Sequence, residues 1–309
     1  ARLVAVIGVF AFYLAMLYLG TSVILPSQEN DANTIAGMSV SVDEVDAFDG
    51  YAAMAFIYSV TNDISRYAII ISLSFFFIYF CLKWCRGIVS ISTSAFLCIS
   101  PILLFLCFFV KDAIYLSFML SCLVILTNAR NTTWAAIASA VLISVYAVIF
   151  RQYFAIVAVI FIGLVLFKRM TWTQRAIILL IIPIAALAIP NDIYVTLQEQ
   201  RDIVNYYRIG FTGSGTRTAF LNYMRPEGLY SFLVNYGYAF IRLNFPVFFG
   251  SGAKELFLMV NVFIYGALAW AGIRSSDARV WRPAMLFLAH FLTLLLFEPD
   301  LGSYLRHTG

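Results

Sequence analysis

Long apolar runs separated by short polar turns fill most of this chain. A run of about 20 apolar residues is typical of a helix that crosses a membrane. The runs lie at 3–25, 67–84, 87–109, 113–128, 133–150, 152–167, 176–190, 255–274 and 283–298. The pattern predicts an all-α polytopic integral membrane protein with about nine transmembrane helices. We expect residues 1–309 to form a single membrane domain.

Two long segments interrupt the apolar runs, at 26–66 and at 190–254. Within the second, residues 228–242 are apolar but contain Asn235, Gly237 and Arg242. This composition favours an interfacial or re-entrant helix rather than a span. The alternative is a full span, which would invert the last two helices.

Composition agrees with a membrane protein. The chain is 62% apolar and 12% charged, with a mean hydropathy of +0.90. Soluble domains are typically about 45–50% apolar and about 25% charged. These values exclude an ordinary soluble protein.

The charges predict the orientation of the chain. If the N-terminus is cytoplasmic, the only acidic residue on that side is Asp277, and the outer side carries the other fifteen. Ten of the twenty basic residues then lie on the cytoplasmic side: Arg2, Lys83, Arg86, Arg130, Lys168, Arg169, Arg175, Arg274, Arg279 and Arg282. This asymmetry follows the positive-inside rule. Segment 26–66 then becomes an acidic outer loop and 190–254 a large outer loop rich in Arg and Tyr.

The large outer loop contains a series of arginines interleaved with aromatic residues and glycines. Guanidinium groups bind phosphate oxygens through paired hydrogen bonds, and aromatic rings suit the C–H faces of sugars. We therefore expect substrate-binding roles, for a phosphate-bearing glycan, at Tyr207, Arg208, Arg217 and Arg225. The alternative is a solvated loop whose arginines pair with nearby carboxylates or lipid headgroups.

Two shorter polar features lie between apolar runs. Arg151 separates two runs with almost no linker, and Lys111 and Asp112 occupy the preceding outer turn. An ionisable residue near the membrane is costly and is therefore a functional candidate. We expect these three residues to assist in substrate binding; the alternative is a headgroup contact and a local ion pair.

Candidate acid–base residues follow the last apolar run and also lie in the first outer loop. Two carboxylates and an Arg–His pair lie within ten residues of each other: Glu298, Asp300, Arg306 and His307. Such a group can supply a proton acceptor and a partner for a developing oxyanion. Asp49, which precedes Gly50 and Tyr51, is the further candidate, although acidic outer loops are usually only solvated.

These residues and the layout resemble those of bacterial Wzy-type polysaccharide polymerases. The sequence EPDLGSYLRH at 298–307, Lys111-Asp112, Arg151-Gln152 and Asp49-Gly50-Tyr51 carry the resemblance. It implies a multi-pass inner-membrane glycosyltransferase that joins oligosaccharide repeat units carried on undecaprenyl pyrophosphate at the periplasmic face. It implies no cofactor and no essential metal. Membrane lipids, a flippase and a chain-length regulator are the other partners that it implies; nucleic acid is not expected.

Two other functions remain open from the sequence. One is a glycosyltransferase that uses a lipid-phosphosugar donor, with Asp43, Asp46 or Asp49 as the base. The other is a flippase or transporter of lipid-linked glycans. A transporter should place charges at mid-membrane within broken helices, whereas here most charges lie at run ends or in outer loops.

Overall fold

The structure is a computed structural model. It describes residues 2–19, 26–38, 50–83, 106–211, 219–250 and 252–298, together with positions 85, 87, 88, 90–92, 94, 95, 98 and 304. At some of these positions, including Tyr207 and Arg208, only the backbone is described.

The described residues are helical and contain no β-strand. The helices are α1 (Arg2–Leu19), α2 (Pro26–Gly37), α3 (Gly50–Val60), α4 (Asp63–Leu82), α5 (Lys111–Asn128), α6 (Thr132–Ile149), α7 (Phe154–Arg169), α8 (Trp172–Ala188), α9 (Asn191–Phe211), α10 (Leu229–Asn244), α11 (Ala253–Arg274) and α12 (Ala278–Phe297).

Among the described residues, four helices are long and apolar enough to cross a membrane: α4, α5, α6 and α12. Helix α8 and the first part of α9 meet at a short break with a bend of 87°. If this pair is counted as one broken span, the number of candidate spans is five. The predicted all-helical membrane fold is confirmed at this level, but nine spans are not. Helix α1 covers most of the predicted span 3–25, whose last residues lie outside the described residues, and the predicted span 87–109 is described only in part.

Lipid is the natural surrounding for the surface of these helices. Val141 and Val148 of α6, Val159 of α7, and Leu180 and Leu187 of α8 are each more than half exposed. No residue of α8 is buried. Exposed apolar side chains in this number are unusual on soluble monomers, because exposing them to water is unfavourable.

The chain divides into two compact units. The first comprises residues 1–124 and 141–155, with residue 309, and the second comprises residues 125–140 and 156–308. In the first unit, α1 packs on α4 and α2 packs on α3. In the second unit, α12 packs on α9, α10 and α11.

In the second unit, α12 is the central helix. Its buried residues include Ala289, Leu294 and Leu295. They meet Ala239 and Leu243 of α10, together with Phe220 and Tyr304, in one apolar cluster. The buried face of α10 repeats every four residues, at Ser231, Asn235, Ala239 and Leu243, which is the period of one helix face.

Two segments predicted as loops contain helices. The acidic segment 26–66 holds α2, α3 and the start of α4, and the segment 190–254 begins with the 21-residue helix α9. The predicted interfacial or re-entrant helix at 228–242 is present as α10, which is not among the candidate spans. Its depth in the membrane stays a prediction.

Candidate functional site

In the first unit, two of the predicted site residues form an ion pair. Asp112 lies in the first turn of α5 and is buried, and its Oδ1 lies 3.4 Å from Nη2 of Arg151. Nη1 of Arg151 donates a hydrogen bond of 3.0 Å to the hydroxyl of Tyr153. Asp112 thus has an ion-pair partner 39 positions later in the sequence.

The start of α3 contacts the same region. A Cβ atom on Gly50 would lie 2.7 Å from the carbonyl oxygen of Phe150, so this glycine allows a close approach of the backbones. The next residue, Tyr51, has Nζ of Lys111 3.9 Å from its ring centroid, which is within the range of a cation–π interaction. Three motifs from distant parts of the sequence therefore meet in the first unit.

In the second unit, Arg201 of α9 joins the predicted Arg-rich segment to the end of α12. Its side chain is 3% exposed. Nε donates to the carbonyl oxygen of Glu298 at 3.2 Å, and Nη2 donates to the carbonyl oxygens of Leu295 and Leu296. These carbonyls belong to the last turn of a helix, where no intrahelical partner exists.

Amide side chains surround this arginine. Nη1 of Arg201 donates to Oδ1 of Asn222 at 3.4 Å, while the backbone N–H and Nδ2 of Asn222 donate to the carboxylate of Asp202 at 2.8 and 3.0 Å. Nδ2 of Asn235 donates to Oε1 of Gln198 at 2.7 Å, and its Oδ1 accepts from the N–H of Met224 at 2.8 Å. The network connects α9, α10 and the chain between them.

Arg201 does not itself have room for a substrate. The cavity beside it is about 10 Å³, which holds at most one water molecule. Its guanidinium is therefore a positioning group, which fixes the start of the 298–307 motif against α9.

Glu298 belongs to this polar cluster, and Tyr304 lines an apolar cavity near it. Glu298 is 2% exposed and directly follows α12. The Tyr304 hydroxyl donates a 2.9 Å hydrogen bond to Oδ1 of Asn244. Burial, together with the charge of Glu298, raises the pKa of the Tyr304 phenol, so the phenol keeps its proton.

Tyr304 and Asn244 also line the apolar cavity, which measures about 450 Å³ and lies among α10, α11 and α12. Its walls are almost entirely apolar and aromatic, as at Phe240, Phe263 and Phe291. The second unit thus places an apolar cavity next to a buried polar cluster.

The other predicted site residues are distributed as follows. Tyr207 and Arg208 lie near the end of α9, with only their backbone described, and Arg225 is exposed in the turn before α10. Outside the described residues lie Asp49, Arg217, Asp300, Arg306 and His307.

The sequence did not predict that Arg201 binds the end of α12. It also did not predict the buried hydrogen bonds of Gln198, Asn235 and Tyr304. A signal was present in the buried positions of α9, namely Tyr194, Gln198, Arg201 and Asn205. Their spacing of four, three and four is that of one helix face. The face is mostly polar, so a search for apolar periodicity does not find it.

Among the residues that the structure describes, no group of three or more His, Cys, Asp or Glu side chains is placed to hold a metal ion. Comparison with known protein families, with curated proteins and with solved structures gives no match. The function is therefore argued from the sites alone.

Proposed function

We propose that this protein is a membrane glycosyltransferase that polymerises oligosaccharide repeat units carried on undecaprenyl pyrophosphate, at the periplasmic face of the bacterial inner membrane. The observation that carries the proposal is the apolar cavity of about 450 Å³ near the Arg201–Glu298 cluster. Tyr304 lines the cavity and shares an apolar cluster with Leu295, whose carbonyl oxygen accepts from Arg201. An amphipathic substrate needs such a pairing of apolar and polar surfaces.

The chemistry is the transfer of a glycan from one lipid pyrophosphate to a hydroxyl of the next unit. The bond between the anomeric carbon and the pyrophosphate oxygen breaks, and the acceptor oxygen forms the new glycosidic bond. The acceptor proton passes to a base, for which we propose His307 or Asp300. Glu298 and Arg306, close to them in the sequence, are proposed to assist. The lipid pyrophosphate leaves with the bonding electrons, and its charge needs cationic partners.

We assign those partners to Arg208, Arg217 and Arg225. Position 208 lies seven residues, or about two helical turns, beyond Arg201 on α9. Because Arg201 is bonded to the end of α12, the helix that carries Arg208 has a fixed register relative to Glu298, the first residue of the 298–307 motif. Tyr207 is proposed to contact the sugar, and substrate-binding roles for Lys111, Asp112 and Arg151 stay predictions from the sequence.

The positions of the buried Asp, Glu and most buried Arg side chains near helix ends support this enzyme over a flippase or transporter. Among the described residues, Asp112 and Glu255 lie in the first turn of a helix, and Arg282 lies in the second. Glu298 follows the last turn of α12, and Arg201 binds carbonyls at that end. A transport pathway should instead place charges near mid-membrane.

The decisive experiment uses the purified protein in nanodiscs with a synthetic oligosaccharide on undecaprenyl pyrophosphate, without nucleotide sugar. We expect a ladder of polymer. Loss of one charge-assisted hydrogen bond, worth about 1.5–3 kcal/mol, should slow turnover about 10–100-fold in Arg217→Ala. Arg217→Lys should restore it in part, because a point charge cannot form the paired hydrogen bonds.

The matched control is Arg130→Ala, since Arg130 is exposed after α5, outside the proposed site. It should keep the wild-type rate. Absence of any ladder from the wild-type protein would overturn the proposed activity, and full activity of Arg217→Ala would overturn the role of that arginine.

A first-loop base is the second candidate, and the packing of Gly50 favours it. Asp49 immediately precedes Gly50, which contacts Phe150 beside Arg151. A lipid-phosphosugar donor would then be used, and Asp49→Asn should abolish transfer. If Asp300→Asn and His307→Ala keep normal rates while Asp49→Asn is inactive, the base belongs to the first outer segment.

A further inference from the structure

The first unit contains a second cavity, separate from the Asp112–Arg151 pair. It measures about 330 Å³ and lies among α1, α2, α3, α4 and residues 107–109. Ligand pockets are usually about 300–1,000 Å³ in size. This cavity is therefore large enough for a small ligand or for one part of a larger one.

The walls of this cavity combine hydrogen-bonding groups with aromatic surface. Its apolar part includes Phe108, Phe109 and Ile70. Its polar lining brings together two carboxylates, an amide, a guanidinium and two phenols: Glu29, Asn33, Tyr58, Asp63, Arg66 and Tyr67. Donors and acceptors are therefore both present beside ring surfaces.

Arg66 and Tyr58 have contacts that position them before any ligand binds. Nη2 of Arg66 lies 2.7 Å from Oδ1 of Asp63, and its Cζ lies 4.1 Å from the ring centroid of Tyr58. The Tyr58 hydroxyl donates a 2.7 Å hydrogen bond to the carbonyl oxygen of Phe109. Such pre-positioning lowers the entropy cost of binding.

The balance of charge argues for a polar neutral ligand rather than a metal ion. Arg66 offsets the charge of Asp63, which leaves Glu29 as the unbalanced carboxylate of the lining. A divalent cation prefers several oxygen ligands without a competing guanidinium. A sugar has hydroxyls that both donate and accept, and its ring has a C–H face that packs on an aromatic ring.

We propose that this cavity binds a saccharide unit, with Glu29, Asn33 and Asp63 bonded to sugar hydroxyls and the half-exposed ring of Tyr67 against the sugar face. The inference goes beyond the proposed function, because binding here needs no group transfer. It also concerns residues to which the proposed reaction assigns no role.

The test measures saccharide binding directly. Purified full-length protein in nanodiscs is titrated with maltotriose, mannotriose and chitotriose, and binding is followed by saturation-transfer difference NMR. We expect at least one of them to bind. Tyr67→Ala and Asp63→Asn should weaken that binding about tenfold or more, as for loss of a charge-assisted hydrogen bond or an aromatic contact.

Tyr79→Ala is the matched control for Tyr67→Ala. Both tyrosines lie on α4 and are 53% and 55% exposed, but only Tyr67 lines the cavity. Asp192→Asn, at an exposed carboxylate at the start of α9, is the control for Asp63→Asn. Both controls should bind as the wild type does.

Three outcomes would overturn the inference: no signal from any of the three sugars, unchanged binding in both cavity variants, or stabilisation by Ca²⁺ in place of saccharide binding. If Asp63→Asn lowers the melting temperature, the binding measured with Tyr67→Ala tests the inference. The exposed ring of Tyr67 contributes little to the stability of the fold. If the protein forms a polymer ladder but this cavity binds no saccharide, this inference is wrong and the proposed function is unaffected.

Discussion

At the scale of single residues, Arg201 has the most consequential contacts in the second unit. The last carbonyls of a helix have no intrahelical donor, and in a protein interior each unpaired carbonyl is costly. Arg201 supplies hydrogen bonds to the carbonyl oxygens of Leu295, Leu296 and Glu298. Its charge is also favourable at the negative end of the α12 dipole.

We predict that Arg201→Ala strongly destabilises the protein. Three carbonyl groups lose their donor, each at a cost of about 1–3 kcal/mol, so the melting temperature in detergent should fall by several degrees or more. Arg201→Lys should recover part of the loss, because its ammonium keeps the charge but not the planar fork. Arg130→Ala should melt as the wild type does; equal stability of Arg201→Ala would contradict this account.

The close approach at Gly50 gives a second prediction at this scale. In Gly50→Ala, the new Cβ would lie 2.7 Å from the carbonyl oxygen of Phe150. Backbone atoms cannot yield cheaply, so a loss of about 1–3 kcal/mol is expected, as in other overpacked sites. Thermal unfolding measures it.

The control for Gly50→Ala is Gly163→Ala in α7, where an added Cβ meets no atom within 4 Å. Alanine favours a helix over glycine by up to about 1 kcal/mol. Gly163→Ala should therefore be neutral or stabilising. If both variants behave alike, the contact with Phe150 is not what requires glycine at position 50.

At the scale of elements, buried polar side chains join α9 and α10, beside the ring contact between Tyr194 and Phe232. Asn235 is 1% exposed and bonds to both Gln198 of α9 and the backbone of Met224. Buried amides of this kind fix one register between two helices, because a shifted helix would leave them unsatisfied.

We predict that Asn235→Ala loosens α10 from α9. The Gln198 side chain and the N–H and carbonyl of Met224 would lose partners, and each lost hydrogen bond costs about 1 kcal/mol or more. Limited proteolysis between residues 219 and 228 should become faster, and the melting temperature should fall. Asn128→Ala, at an exposed asparagine, should change neither; unchanged proteolysis of Asn235→Ala would exclude this role.

The sequence predicted the apolar helices well and the polar ones poorly. The predicted runs 113–128 and 133–150 correspond to α5 (Lys111–Asn128) and α6 (Thr132–Ile149) within two residues. The start of α5 was set too late because Lys111 and Asp112 are charged, whereas both belong to its first turn. Apolar periodicity could not reveal α2, whose sequence PSQENDANTIAG is polar throughout most of its length.

The same reasoning explains how much of the site could be predicted. Lys111, Asp112 and Arg151 were conspicuous because charge is rare between apolar runs, and the structure places the last two in contact. Gln198 and Asn235 were not conspicuous, because uncharged amides are common in polar segments. Their importance depends on burial, which follows from the tertiary packing of α9 on α10.

At the scale of the whole molecule, several of the basic residues predicted to be cytoplasmic contact one end of the second unit. Lys168 donates to the carbonyl oxygen of Ile273 at 2.6 Å, and Arg169 donates to Oγ1 of Thr133 at 2.7 Å. Arg282 donates to the carbonyl oxygen of Ala129 at 3.0 Å. The opposite end of α12, about 30 Å away for a helix of 20 residues, carries the Arg201–Glu298 cluster.

This arrangement bears on whether residues 228–242 cross the membrane. A crossing there would place Arg274, Arg279 and Arg282 on the outer side, away from the turn after α5. The hydrogen bond from Arg282 to Ala129 instead keeps the start of α12 beside that turn. It therefore supports the non-crossing arrangement for α10, in agreement with the excess of basic residues on one side.

Cysteine labelling tests this topology. In a protein whose five cysteines are replaced, single cysteines are introduced at Arg130, at Arg279 and at Tyr206, all of which are exposed within the second unit. We expect a membrane-impermeant maleimide to label Tyr206→Cys in intact spheroplasts and to label Arg130→Cys and Arg279→Cys only after lysis. Labelling of Arg279→Cys together with Tyr206→Cys before lysis would mean that 228–242 crosses the membrane, and the outer segment would then end at α10.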